Sequence, residues 1–310
     1  MFHRKALVAG IALALVTGAS QAREIKSVGV TVGSLGNPFF VTIAKGAEAK
    51  VKELNPNAKV ITASADYDLN KQFTQIDNFI SAGVDLILLN AADAKAIEPA
   101  VRKAQKAGIA VIAVDVAAAG ADATVQTDNV QAGKIACEHI VKRLNGQGNV
   151  IIQNGPQVSA VVDRVKGCKG VFAATPGIKV LSDDQDGKGS REGGMNVMLG
   201  HLTRFPKLDA VFTINDPQAI GTDLAARQLK RKGIVITSVD GAPDIENALK
   251  SDTQVEASAS QDPWAMAQQA VVIGNDVLNG KKPANPMVLI PSTLVTRDNV
   301  SGYKGWSSPR

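Results

Sequence analysis

The chain is poor in the residues that carry most enzyme chemistry. It has three histidines and two cysteines in 310 residues, and aromatics make up only 4 %. No His-Glu-x-x-His and no Cys-x-x-Cys occurs, so the usual protease zinc site and the redox dithiol are excluded. No Gly-x-Ser-x-Gly stands between a strand and a helix, which removes the nucleophile elbow. Gly187-Lys188-Gly189-Ser190 lacks the first glycine of a phosphate loop. Gly33-Ser34-Leu35-Gly36 lacks the third glycine of a dinucleotide fingerprint. Pro38 also interrupts the helix start that would hold a pyrophosphate. His139 and His201 lie inside helical patterns and read as surface or structural residues. No catalytic set, metal site or cofactor is expected. Nor is there a dense Lys/Arg run, so nucleic acid is not an expected partner.

What is present begins with a targeting pattern. Arg4 and Lys5 precede an apolar stretch from Ala6 to Val16, and Ser20-Gln21-Ala22 offers small residues at a cut. This predicts a signal peptide, residues 1–22, cleaved after Ala22. The apolar run is too short to span about 30 Å of hydrocarbon. Cleavage lowers the net charge from +5 to +3. The mature protein is therefore expected to be soluble outside the cytoplasm, in a compartment that oxidises thiols. Cys137 and Cys168 are then either one disulfide or two buried free thiols.

Past residue 22 the chain alternates short apolar runs with helical patterns. Ser27–Val32, Asp85–Leu89, Ile109–Val114, Asn149–Gln153, Asp209–Ile214 and Ile234–Val239 read as buried strands. Helices are expected between them, including Phe39–Leu54, Ala94–Ala107, Asn129–Leu144, Ser159–Ala174 and Gln218–Lys232. Met287–Val295 reads as a closing strand. Continuous apolar strands between helices signal parallel sheets covered on both faces. There are too many for one open sheet, so two doubly wound α/β lobes are expected, with a closed eightfold barrel as the competitor.

In such sheets ligands sit beyond the carboxyl ends of the strands. Polar residues gather there: Asn37 after the first strand, Asn90 and Asp93 after the third, then Asp115, Asn215 with Asp216, and Asp240. Amides and carboxylates suit a neutral, hydroxyl-rich ligand. Each taken alone could equally be a helix N-cap.

Gly36-Asn37-Pro38-Phe39-Phe40 resembles the ribose-binding-protein family of periplasmic solute-binding proteins. Matching stretches follow in order: Ala110 to Asp115, Thr127-Asp128-Asn129 with Gly133-Lys134, and Asp163-Arg164 with Gly167. Ala210-Val211-Phe212 through Asp216, Val239-Asp240-Gly241 and Gln261 complete the set. The resemblance covers the mature chain. It implies a type I periplasmic binding fold, two lobes joined by a three-segment hinge. The boundaries expected are 23–127 with 262–290 for one lobe and 128–261 with 291–310 for the other. It also implies that Asn37, Phe39, Phe40, Asp115, Asn215, Asp240 and Gln261 hold a small sugar or polyol. Delivery would be to the permease of an ABC transporter, with a chemoreceptor as a second partner, and the protein would act as a monomer. Two arginines of the family pattern read as Val116 and Val162, although Arg164 is close by and is kept among the ligand-binding candidates. An aromatic expected near Gly189 is missing; Trp264 is either its substitute or a core residue. Both cysteines fall in the second lobe on helices flanking one strand, and a Cys137–Cys168 disulfide is the expectation. An enzyme on a small polar metabolite and a sugar-responsive regulatory domain share this architecture. The first lacks its catalytic residues, and the second would need a DNA-binding segment where the signal peptide stands.

Overall fold

Two chemically similar halves fold into two sheets in the computed structural model, which describes residues 23–306. The expected signal peptide lies outside the described residues. The first half runs β1 (Ser27–Val32), α1 (Pro38–Leu54), β2 (Lys59–Ser64), α2 (Leu69–Ser81), β3 (Leu86–Leu89), α3 (Glu98–Lys106), β4 (Ala110–Val114) and β5 (Ala123–Thr127). The second runs α4 (Asn129–Arg143), β6 (Gly148–Gln153), α5 (Ser159–Ala173), β7 (Ile178–Ser182), α6 (Arg191–Arg204), β8 (Ala210–Thr213), α7 (Asp216–Gln228), β9 (Val235–Asp240), α8 (Pro243–Lys250) and β10 (Val255–Ser260). Then come α9 (Pro263–Leu278), β11 (Met287–Ile290) and β12 (Leu294–Thr296).

The first sheet has the order β2-β1-β3-β4-β5-β11, and the second has β7-β6-β8-β9-β10-β12. Each is a doubly wound sheet whose order reverses beside its first strand, β1 or β6. All pairings are parallel except β12 on β10. The run Met287–Val295 is therefore not one strand. Pro291-Ser292-Thr293 breaks it, and its two parts join different sheets. Proline cannot donate to a ladder, which explains the break.

Apolar alternation fills both faces of each sheet. In the first, Leu86 and Leu88 join one cluster with Val28, Val30 and Ile112. Ile87 and Leu89 join the opposite one with Val111 and Ala113. In the second, Val150, Ile152 and Phe212 face one way and Ile151, Val211 and Ile236 the other. Such two-sided burial is why these strands read as unbroken apolar runs.

Helix α3 starts later than its pattern suggested, because Pro99 sits in its first turn and residues before Glu98 form turns instead. Helix α7 begins earlier, at Asp216, since Pro217 in its first turn is compatible with a helix start.

Helices α4 and α5 cross at close range. A Cβ on Gly133 would lie 1.9 Å from the carbonyl oxygen of Arg164, and one on Gly167 would lie 2.1 Å from that of Val130. Only glycine permits that approach. It brings Cys137 and Cys168, both fully buried, to a Cα–Cα distance of 5.2 Å, where their sulfurs are bonded.

Three segments cross between the sheets: β5 to α4, β10 to α9, and β11 to β12. Hydrogen bonds tie them together. Ser292 Oγ donates to the Ser260 carbonyl (2.7 Å), the Ser292 N–H to Gln131 Oε1 (2.8 Å), and the Asp128 N–H to the Ile290 carbonyl (2.8 Å).

Candidate functional site

The carboxyl ends of both sheets face one cleft, and the polar residues there sort by what they bond. Some are caps. Asn37 Oδ1 accepts from the Phe39 N–H (2.9 Å) and Asn215 Oδ1 from the Gln218 N–H (3.1 Å), opening α1 and α7. Asp93 Oδ1 accepts from the N–H groups of Lys95 and Ala96. For Asn37 and Asn215 the capping explanation holds, whereas Asp93 closes a turn ahead of α3, whose N-cap position is Ile97. Asn215 also donates from Nδ2 to the Gly189 carbonyl (2.9 Å), pinning the β7–α6 loop of the same lobe.

Asp115 and Asp240 do not cap the segments that follow them, although Asp240 Oδ2 accepts from the Asp216 N–H at the start of α7 (3.4 Å). Both are buried, and their backbones have φ of 71° and 144°. Non-glycine residues in such conformations cost on the order of 1–3 kcal/mol and cluster at ligand clamps. Asp115 Oδ2 accepts from Asn90 Nδ2 (2.9 Å), which is itself aligned by the Val114 carbonyl. Asp240 Oδ1 accepts from Gln261 Nε2 (2.8 Å), and Gln261 Oε1 accepts from Thr127 Oγ1 (2.7 Å). That chain links a carboxylate of one lobe to the hinge.

Arg164 joins them. Its Nε donates to Asn129 Oδ1 (2.8 Å), and one terminal nitrogen donates to the Ile214 carbonyl (2.8 Å) and approaches Asp240 Oδ1 at 3.4 Å. Val162, by contrast, is 47 % exposed. Arg164, kept among the candidates, is the buried one of the two and lies beside Asp240. Val116 is buried among the apolar side chains of the first lobe, with Ala160 of α5 in the same cluster.

Charge and burial set the protonation. Burial pushes the Asp115 carboxyl up to about 6, opposed by Arg164 and Asn90 and assisted by Asp240. Burial also raises Asp240, while Arg164, Gln261 and the Asp216 N–H hold it down. Behind it, Asp216 is raised well above the usual carboxyl range, by burial first and by Asp240 next. Asp216 accepts from the hydroxyls of Ser238 and Ser258 and from the Ala242 N–H. It therefore anchors the Asp240 turn from below.

Aromatic rings form one wall. Phe39 and Phe40 meet edge to face at 5.3 Å. Trp306 stands 5.4 Å from Phe39, with Nε1 donating to the Gln261 carbonyl (3.0 Å). The tryptophan that reaches this wall is thus Trp306, whereas Trp264 packs its backbone against Gly46. Tyr67 touches Phe40 at 6.2 Å. The Ala117 N–H donates to Ser159 Oγ (3.3 Å), so the two lobes also meet at one side of the cleft.

The structure therefore brings Asp115, Arg164, Asp240 and Gln261 together beside Phe39 and Phe40, with Asn37 and Asn215 at the mouths of α1 and α7. Asn129, Thr127, Tyr67 and Trp306, which bond to or pack against these residues, were not among the candidates. Asn129 and Thr127 stood inside a recognised stretch, but Tyr67 and Trp306 had no marker. Two surface grooves elsewhere, of about 220 Å³ near Arg23 and Asp122 and about 590 Å³ between α4 and α5, converge no comparable set of buried polar groups. Among the described residues no group of three or more His, Cys, Asp or Glu could hold a metal ion.

Such a site can accept hydrogen bonds from hydroxyls on both lobes, donate from one guanidinium, and stack a C–H face. Comparison with known proteins identifies the family. A periplasmic binding protein domain model matches residues 28–282. The chain is 32 % identical to the ribose import binding protein of Bacillus subtilis over 83 % of each chain. It is 32 % identical to a xylitol-binding protein of Mycolicibacterium smegmatis, over 89 % of this chain and 79 % of that one. A solved ABC transporter solute binding protein of Bacillus halodurans with bound myo-inositol superposes with a TM-score of 0.82. It is 26 % identical, covering 92 % of this chain and 98 % of the other.

Proposed function

The chain belongs to the periplasmic binding protein family, and we propose that it clamps one neutral, hydroxyl-rich molecule between its lobes for import. It is a solute-binding protein and not an enzyme, like the import binding proteins it is similar to. The observation that carries the ligand reading is the presence of two buried carboxylates from opposite sheets, Asp115 and Asp240, the second of them beside the Arg164 guanidinium. Hydroxyls satisfy carboxylates without adding charge. An anionic ligand would meet net negative charge. The named ligands of the relatives above, ribose, xylitol and myo-inositol, are all neutral and differ in size. A short polyol or a pentose is our reading for this chain.

Residues 23–127 with 262–290 form one lobe in this account, and 128–261 with 291–310 the other. Closing the three-segment hinge buries the ligand and presents a joint surface to the permease of an ABC transporter. Residues 1–22 are removed on export to the periplasm. The test is a thermal-shift screen of neutral sugars and polyols against sugar acids and sugar phosphates. A bound ligand raises Tm by mass action. A rise with at least one neutral compound, and none with its acid or phosphate, is expected. A rise confined to the anions would sink the reading.

A further inference from the structure

Asp66 and Tyr67 form the turn between β2 and α2, and both have left-handed backbones, with φ of 53° and 58°. Neither is glycine, so the conformation has to be imposed by its surroundings. Ser64 Oγ and Lys71 Nζ both donate to the Asp66 carboxylate at 2.5 Å. The Tyr67 N–H donates to the Gly33 carbonyl (3.2 Å), and Asp68 caps α2 through the Lys71 N–H. The turn is held from four sides, and its effect is to lay the Tyr67 ring over Gly33. A Cβ at Gly33 would sit 2.7 Å from the ring.

The ring then rests on Phe40, edge on, yet remains 58 % exposed. A core tyrosine would not be so open, and a surface tyrosine needs no strained turn. Protein crowds the ring on its inner side, and that burial, followed by the charges of Asp115 and Asp240, pushes its hydroxyl up to about 12. The hydroxyl keeps its proton at neutral pH, and the ring, over Gly33 just past β1, stands at the same end of the first sheet as Asp115.

Resting on the functional reading above, we propose that Tyr67 is a specificity-determining ligand contact. Its hydroxyl donates to a bound polyol, and its ring extends the aromatic wall of Phe39 and Phe40.

The test titrates the mature protein and its Y67F, Y67A and D240A variants calorimetrically with ribose, xylitol and myo-inositol, and records Tm for each. Y67F should raise Kd for the tightest probe about five- to tenfold, the effect of one hydrogen bond, with Tm unmoved. Y67A should weaken binding further and shrink the spread of Kd among the probes, because the wall is gone. If both variants stay within about twofold of the parent for every probe while D240A weakens binding, Tyr67 has no such role and the binding reading stands. If the parent itself binds none of the probes, the functional reading fails and this proposal with it.

Discussion

Replacing Asp240 by alanine separates ligand binding from folding. The carboxylate is 8 % exposed and accepts from Gln261, Arg164 and the Asp216 N–H. In the complex it would also accept from a ligand hydroxyl, and a hydrogen bond to a charged group contributes about 1.5–3 kcal/mol. Tenfold in Kd corresponds to about 1.4 kcal/mol, so D240A should weaken binding about 10- to 150-fold. Stability should change far less. Arg164 keeps its bonds to Asn129 and the Ile214 carbonyl, so it is not stranded. Asp216 loses a like-charged neighbour, a gain that offsets part of the loss. The loss should therefore fall below the 3–5 kcal/mol, roughly, of breaking a buried pair outright. Isothermal titration gives Kd, and urea unfolding at the same pH gives the stability. Unchanged affinity in a folded D240A protein would refute the assignment of Asp240 to the ligand.

Asp115 should make the unliganded protein less stable as pH rises from about 4 to 6. Its folded carboxyl binds a proton over that window and its unfolded one does not, a difference on the order of 3 kcal/mol. D115N should flatten that part of the urea-unfolding profile, and an equal slope in both proteins would contradict it; ligand affinity should conversely fall as pH drops through 6. Converting both Cys137 and Cys168 to alanine should lower stability by about 3–4 kcal/mol, from a cross-link separated by 31 residues. A change under about 1 kcal/mol in urea unfolding would mean the bond adds little. V162K should leave Kd and Tm unchanged, since Val162 faces solvent, whereas R164M should weaken both. A reversed pattern in the same titrations would restore Val162 as the cleft position.

Much of this was legible because burial on both sheet faces leaves unbroken apolar runs, and because the residue after each run must lie at the carboxyl end. Asp115 and Asp240 were located that way. Arg164 was legible too, from helical phase. Ala160, Val161, Val165, Cys168 and Phe172 make the buried stripe of α5, and Arg164 falls on it while Val162 falls off. Family spacing alone left Val162 and Arg164 both open. Capping and ligand contact use the same amides, so only the bonds made by Asn37 and Asn215 reveal their capping role. Tyr67 was invisible because a left-handed turn built from two non-glycine residues has no sequence signal. Trp306 was invisible for another reason: its partners, Phe39 and Gln261, are remote in the chain, and only the folded tail brings them together.

The central claim is that one neutral ligand is held from both lobes at once. A crystal structure of the complex with the tightest neutral sugar or polyol tests it most directly. Ligand hydroxyls should lie within about 3 Å of the carboxyls of both Asp115 and Asp240, with a C–H face against Phe39 or Phe40. A ligand seated outside this cleft, or bonded to one lobe alone, would contradict it.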